Sequence, residues 1–139
     1  MSFILVPNHG EDIQVNGWNW RPTLELLRAE NLVSEENYER MGAQGCGGAV
    51  DADVARRIAD LIERKLAAMG SGQRSLGDLT VTANPKKSVT FAPGMATEEI
   101  DVNDLYSASY DWLVALRDFC KQSGGFQVVL GKAYRPSAV

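Results

Sequence analysis

Residues 3–22 read Phe-Ile-Leu-Val-Pro-Asn-His-Gly-Glu-Asp-Ile-Gln-Val-Asn-Gly-Trp-Asn-Trp-Arg-Pro, and the reading of this stretch decides the fold class. Phe3 to Val6 is an unbroken apolar run of the length of a buried strand. Pro7-Asn8-His9-Gly10 carries turn chemistry, and Asp12-Ile13-Gln14-Val15 alternates polar and apolar as a half-buried strand does. The two runs predict an N-terminal hairpin, closed by Asn16-Gly17. Trp18 to Pro22 then leads into a helix that reaches about Asn31, with Leu24, Leu26 and Leu27 on its apolar side. Pro22 is expected in the first turn, where its missing N–H costs nothing.

Outward from this start, Ser34 suits an N-cap, with Glu35 and Glu36 at the positive end of a second, short helix that Gly42 ends. Residues 42–48, Gly-Ala-Gln-Gly-Cys-Gly-Gly, predict a flexible loop. Asp51 caps the strongest helix, in which Val54, Ile58, Leu61, Ile62, Leu66 and Met69 recur at helical spacing up to Gly70. Residues 71–78 read as a loop, 79–83 as a strand, 84–87 as a turn and 88–91 as a return strand. A last helix is expected from about Asp104 to Ser123, a closing strand over 126–130, and a frayed tail over 132–139. The expected architecture is one α+β domain over 1–139, with about four helices packed on a small, mainly antiparallel sheet.

Composition narrows the function classes. The chain has 139 residues, 14 Lys+Arg against 18 Asp+Glu and a formal charge of −4, which argues against binding nucleic acid by phosphate neutralisation. Its longest apolar run is too short to span a bilayer, and no basic segment precedes it as in a signal peptide, so a cytoplasmic location is expected. Cys46 and Cys120 form no disulfide framework, and with His9 as the single histidine no metal site or cofactor is expected.

Three segments are candidates for function. Trp18, Trp20 and Arg21 combine the residue types enriched in binding hot spots. In an extended segment both rings would share a side and plug the core, burying on the order of 300–500 Å². Gly45 and Cys46 stand just upstream of a helix, where a dipole stabilises a thiolate, and His9 is the sole imidazole available as its base. The bland reading of those glycines is positive φ and close backbone approach between two helices. Glu98, Glu99 and Asp101 belong to an acidic stretch suited to steering a basic protein partner.

The segment Asn16-Gly-Trp-Asn-Trp-Arg-Pro-Thr-Leu24, the glycine loop, the Ala-rich helix and Ser123-Gly-Gly-Phe126 together resemble a small uncharacterised bacterial protein family. In that family a Trp-x-Trp-Arg-Pro-Leu element opens the first helix, an Asn- and Gly-rich loop precedes the next long one, and Cys/Ser-Gly-Gly-Phe ends the last. This chain departs from it at Gly45-Cys46-Gly47, where an Asn or Asp is expected. The resemblance implies an architecture and no chemistry.

With no paired nucleophile and base, the residues point first to a non-enzymatic interaction module, immunity- or adaptor-like, binding a basic protein through an acidic face. No catalytic residue is assigned. The alternative is a small-ligand-binding protein or enzyme with its site between Trp18, Trp20, Arg21 and the Gly45–Gly48 loop. A homodimer is a third arrangement open to such a chain.

Overall fold

The computed structural model describes residues 2–42, 46–76, 78–83 and 107–131. The expected turn over 84–87, return strand over 88–91 and tail over 132–139 lie outside the described residues.

The described residues form four helices and two antiparallel sheets, an α+β fold. The first sheet has the order β2-β1-β7-β3, built from β1 (Ser2–Pro7), β2 (Ile13–Asn16), β3 (Cys46–Asp51) and β7 (Gly125–Leu130). The second has the order β5-β4-β6, from β4 (Arg74–Leu76), β5 (Val81–Thr82) and β6 (Ser107–Ser109). Four helices accompany them: α1 (Gly17–Ala29), α2 (Glu35–Met41), α3 (Ala52–Ala67) and α4 (Tyr110–Gln122).

The N-terminal hairpin forms as expected, with Phe3 opposite Val15 and Leu5 opposite Ile13. On its other side β1 pairs with β7, Leu5 opposite Val128. Strand alternation sends Phe3, Leu5, Val15, Phe126 and Val128 into one core with Leu24 and Leu27 of α1, Ile58 and Ile62 of α3, and Leu113 and Leu116 of α4. Helix α3 packs on α4, α2 lies against β3, and α1 touches β1 and β2 of the first sheet and β6 of the second. At about 25 cal/mol per Å², residues as fully buried as Ile58, Ile62 and Leu113 each contribute roughly 1.5–3 kcal/mol.

Three sequence expectations need correction. The glycine-rich run is a loop only in part, because Cys46 to Asp51 is strand β3. It pairs with β7 across a register irregularity between Cys46 and Ala49, and Gly47 takes φ +73° there. Gly48 lies under α2, where an added Cβ would collide with Met41 Cγ and stand 2.8 Å from Met41 N, so the close approach is between strand and helix. The loop assigned to 71–78 contains strand β4. The last helix starts at Tyr110, capped by the Ser109 side chain on Trp112 N, and the three residues before it are β6.

Candidate functional site

Asn16 ends β2 and caps α1, its Oδ1 accepting from Asn19 N at 2.9 Å. The helix therefore begins at Gly17, and Pro22, expected in its first turn, is its sixth residue. Pro22 cannot donate the helical bond to the Trp18 carbonyl. The early start also decides the fate of the tryptophans. In a helix residues two apart point to opposite sides, where in a strand they would share one.

Trp20 is fully buried, and its Nε1 donates to the Met41 carbonyl at 2.8 Å. Its ring meets Trp112 edge-on at 6.2 Å and Phe3 at 6.4 Å. Trp20 is thus a core residue with no surface to offer a ligand. Trp18 is 50% exposed, so the expectation that both rings plug the core holds for one of them.

Asn19, between the two rings, is a junction that sequence reasoning missed. Its Oδ1 accepts from Ser109 N at 2.9 Å and from Arg74 Nη2 at 3.3 Å, its Nδ2 donates to Asn16 Oδ1, and its carbonyl accepts from Thr23 Oγ1. Thr23 Oγ1 in turn accepts from Trp112 Nε1 at 2.9 Å. Arg74 also donates to Ser107 Oγ at 2.6 Å and Ser107 O at 2.9 Å. Partial burial, with no carboxylate paired to it among the described residues, pushes the Arg74 pKa down. The Asn-x-x-Asn spacing of a capped first turn was the one available signal.

Trp18, Arg21, Glu25 and Arg28 fall at i, i+3, i+7 and i+10, one stripe along the outer face of α1. Beside this stripe stands α2, and between the helices is a depression of about 270 Å³ lined by Arg21, Leu24, Glu25, Tyr38, Glu39 and Gly42. A neighbouring depression of about 400 Å³ is lined by Glu25, Arg28, Ala29, Glu35, Asp78 and Leu79. Glu25 borders both. The Tyr38 hydroxyl donates to Glu25 Oε1, and the Arg28 guanidinium lies 4.6 Å from the centre of the Tyr38 ring. Burial, then the bond to Glu25, raises the Tyr38 phenol above its ordinary pKa. Arg28 reaches Glu35 at 3.4 Å, and this carboxylate first, then Glu25, raises its pKa. Asp78 is held below the ordinary carboxylate range by its bonds from Thr80 Oγ1 (2.6 Å) and Thr80 N (3.0 Å).

The other candidates are placed as follows. Arg21 lines the first depression, and none of Trp18, Trp20 or the described residues of the Gly45–Gly48 loop lines it with Arg21. Gly45, Glu98, Glu99 and Asp101 lie outside the described residues. Cys46 opens β3 opposite Val129, while the His9 backbone N–H donates to Ser123 O at the far end of β7. Val129 and Ser123 are six residues apart, so at about 3.4 Å per strand residue the two positions stand on the order of 20 Å apart along β7. The Cys46–His9 pairing therefore has no geometry to act through. His9 is exposed beside Gly124, as its turn position suggests.

Among the described residues no group of three or more His, Cys, Asp or Glu is arranged to hold a metal ion. Nor is any helix among them long and apolar enough to cross a membrane. No protein-family model, curated protein or solved structure matches the chain.

Proposed function

We propose that the chain is a non-enzymatic protein-interaction module, immunity- or adaptor-like and cytoplasmic, that engages a basic protein partner across the outer face of α1 and α2. The observation that carries this reading is Trp18: a large indole half in solvent, on one helical stripe with Arg21 and Glu25. Trp and Arg are the side chains that most often concentrate binding energy at protein interfaces. The formal charge of −4 and the carboxylates of Glu25, Glu35, Glu39 and Asp78 around the two depressions favour a cationic counterpart. The acidic stretch with Glu98, Glu99 and Asp101 adds to the same bias by charge alone.

The test is affinity capture from native cytoplasm with mass-spectrometric identification, run in parallel on wild type and Trp18→Ala. Capture of a basic protein that Trp18→Ala loses, and that weakens with added salt, supports the reading. Recovery of no basic protein, or equal recovery by the variant, rejects it.

A further inference from the structure

We propose that the Asn16–Gly17 junction is a site of spontaneous covalent modification that the tertiary structure holds closed, with Asn19 as the latch.

The reactants are adjacent in the chain. Asn16 is the one asparagine followed by glycine. In such a pair the glycine backbone nitrogen, giving up its proton to solvent base, attacks the asparagine Cγ, and no Cβ obstructs the approach. The N–Cγ bond forms and the Cγ–Nδ2 bond breaks. The side-chain amide leaves as ammonia, taking a proton from solvent, and a succinimide ring remains. Water then opens the ring at either carbonyl. Opening at Cγ gives aspartate; opening at the main-chain carbon gives isoaspartate, whose backbone runs through the former side chain.

The fold supplies access and restraint together. Asn16 is exposed at the end of β2, and Gly17 opens α1, where its N–H has no acceptor within the helix. Ring closure needs rotation about the Asn16 Cα–C bond, which the cap fixes at ψ 161°. Asn16 Oδ1 is tied to Asn19 N at 2.9 Å and to Asn19 Nδ2 at 3.0 Å. Asn19 is in turn held from outside its helix, by Ser109 N at 2.9 Å and Arg74 Nη2 at 3.3 Å. The reaction therefore waits on an opening that breaks contacts to β4 and β6, which costs more than the fraying of a free helix end.

The two products differ in what they do to the fold. Aspartate keeps the oxygen that caps α1 and puts a negative charge at the positive end of a helix whose first turn holds no acid. Isoaspartate adds a methylene to the backbone between β2 and α1, which shifts Trp20 from its place against Phe3 and Trp112. A chain left unfolded is thereby marked, and a folded one is spared.

The experiment follows conversion by mass spectrometry of the peptide containing Asn16, after incubating the full chain in mildly alkaline buffer with and without denaturing urea. Conversion in urea is expected to be faster than in native buffer by about ten-fold or more. Gly17→Ala is expected to slow the urea reaction about ten-fold. In native buffer Asn19→Ala is expected to speed conversion about three- to ten-fold, as for lost hydrogen bonds, and to change nothing in urea. Gly48→Ala, whose methyl meets Met41 and Asn37 and not this cap, leaves the native rate as it is. Equal wild-type rates with and without urea overturn the proposal, whether or not the variants fold. So does a native rate that Asn19→Ala leaves unchanged, or one that Gly48→Ala raises equally.

Discussion

Replacing Trp20 by alanine empties the centre of an aromatic group that includes Phe3 and Trp112 and leaves the Met41 carbonyl without its indole donor. The expected cost is about 3–5 kcal/mol in urea denaturation, against roughly 1 kcal/mol or less for Trp18→Ala at its half-exposed position. Similar losses for the two would mean that the segment is not helical at this point. Asn19 offers a second contrast. Asn19→Ala removes the acceptor shared by Ser109 N and Arg74 and is expected to cost about 2–3 kcal/mol, while Asn19→Asp keeps that acceptor and retains most of the stability. Cys120 makes a third. Burial pushes its thiol up to about 12 from an ordinary value near 9, so the folded state keeps the proton that the unfolded state gives up first. Its contribution to stability is whole below about pH 9 and is lost as pH rises toward 12. Native-state alkylation near neutral pH should leave the peptide containing Cys120 unmodified until denaturant is added, as measured by mass spectrometry.

Strand β3 is the element that sequence patterning hides. Gly47 and Gly48 supply no side chain to alternate, and a strand is recognised by alternation, so the run reads as a loop. What makes it a strand is a neighbour at each edge. β7 pairs with it on one side, and on the other the Asn37 amide accepts from Ala49 N at 3.1 Å and donates to Ala49 O at 2.8 Å, as an adjoining strand would. Gly48→Ala is expected to force α2 off this edge, because the new methyl meets Met41 backbone as well as side chain, at a cost of about 1–3 kcal/mol. Amide exchange at Ala49 and Val50 should accelerate with it, and protection equal to wild type would refute this account of the edge. Helix α3 was legible because its cap, its period and its terminal basic residues agree, with Asp51 Oδ1 accepting from Val54 N at 2.8 Å. The start of α4 was not, since no local signal separates a strand of three small residues, Ser107–Ser109, from a helix beginning earlier. The site was legible in part. Arg21 belongs to it, but Tyr38 and Glu39 join only because α2 folds back beside α1, which no spacing within either helix reveals.

At the scale of the whole molecule, the two sheets are linked through α1, which touches β1 and β2 of the first sheet and whose Asn19 is bonded by Arg74 and Ser109 of the second. The α+β character was readable from the N-terminal hairpin and the helices, whereas the division into two sheets was not, because β4, β5 and β6 are two or three residues long and take their pairing from tertiary contacts. The strand order has a consequence for how the chain is made. β7 sits between β1 and β3, yet follows both by a long interval of synthesis. At about 5–20 residues per second, the stretch from Asp51 to Gly125 occupies a ribosome for on the order of 4–15 s. During that time β1 has β2 to pair with but β3 has no strand partner, so the hairpin forms early and the four-stranded sheet closes late. Insertion of β7 is the late event, and nascent-chain chaperones have that interval in which to hold β3.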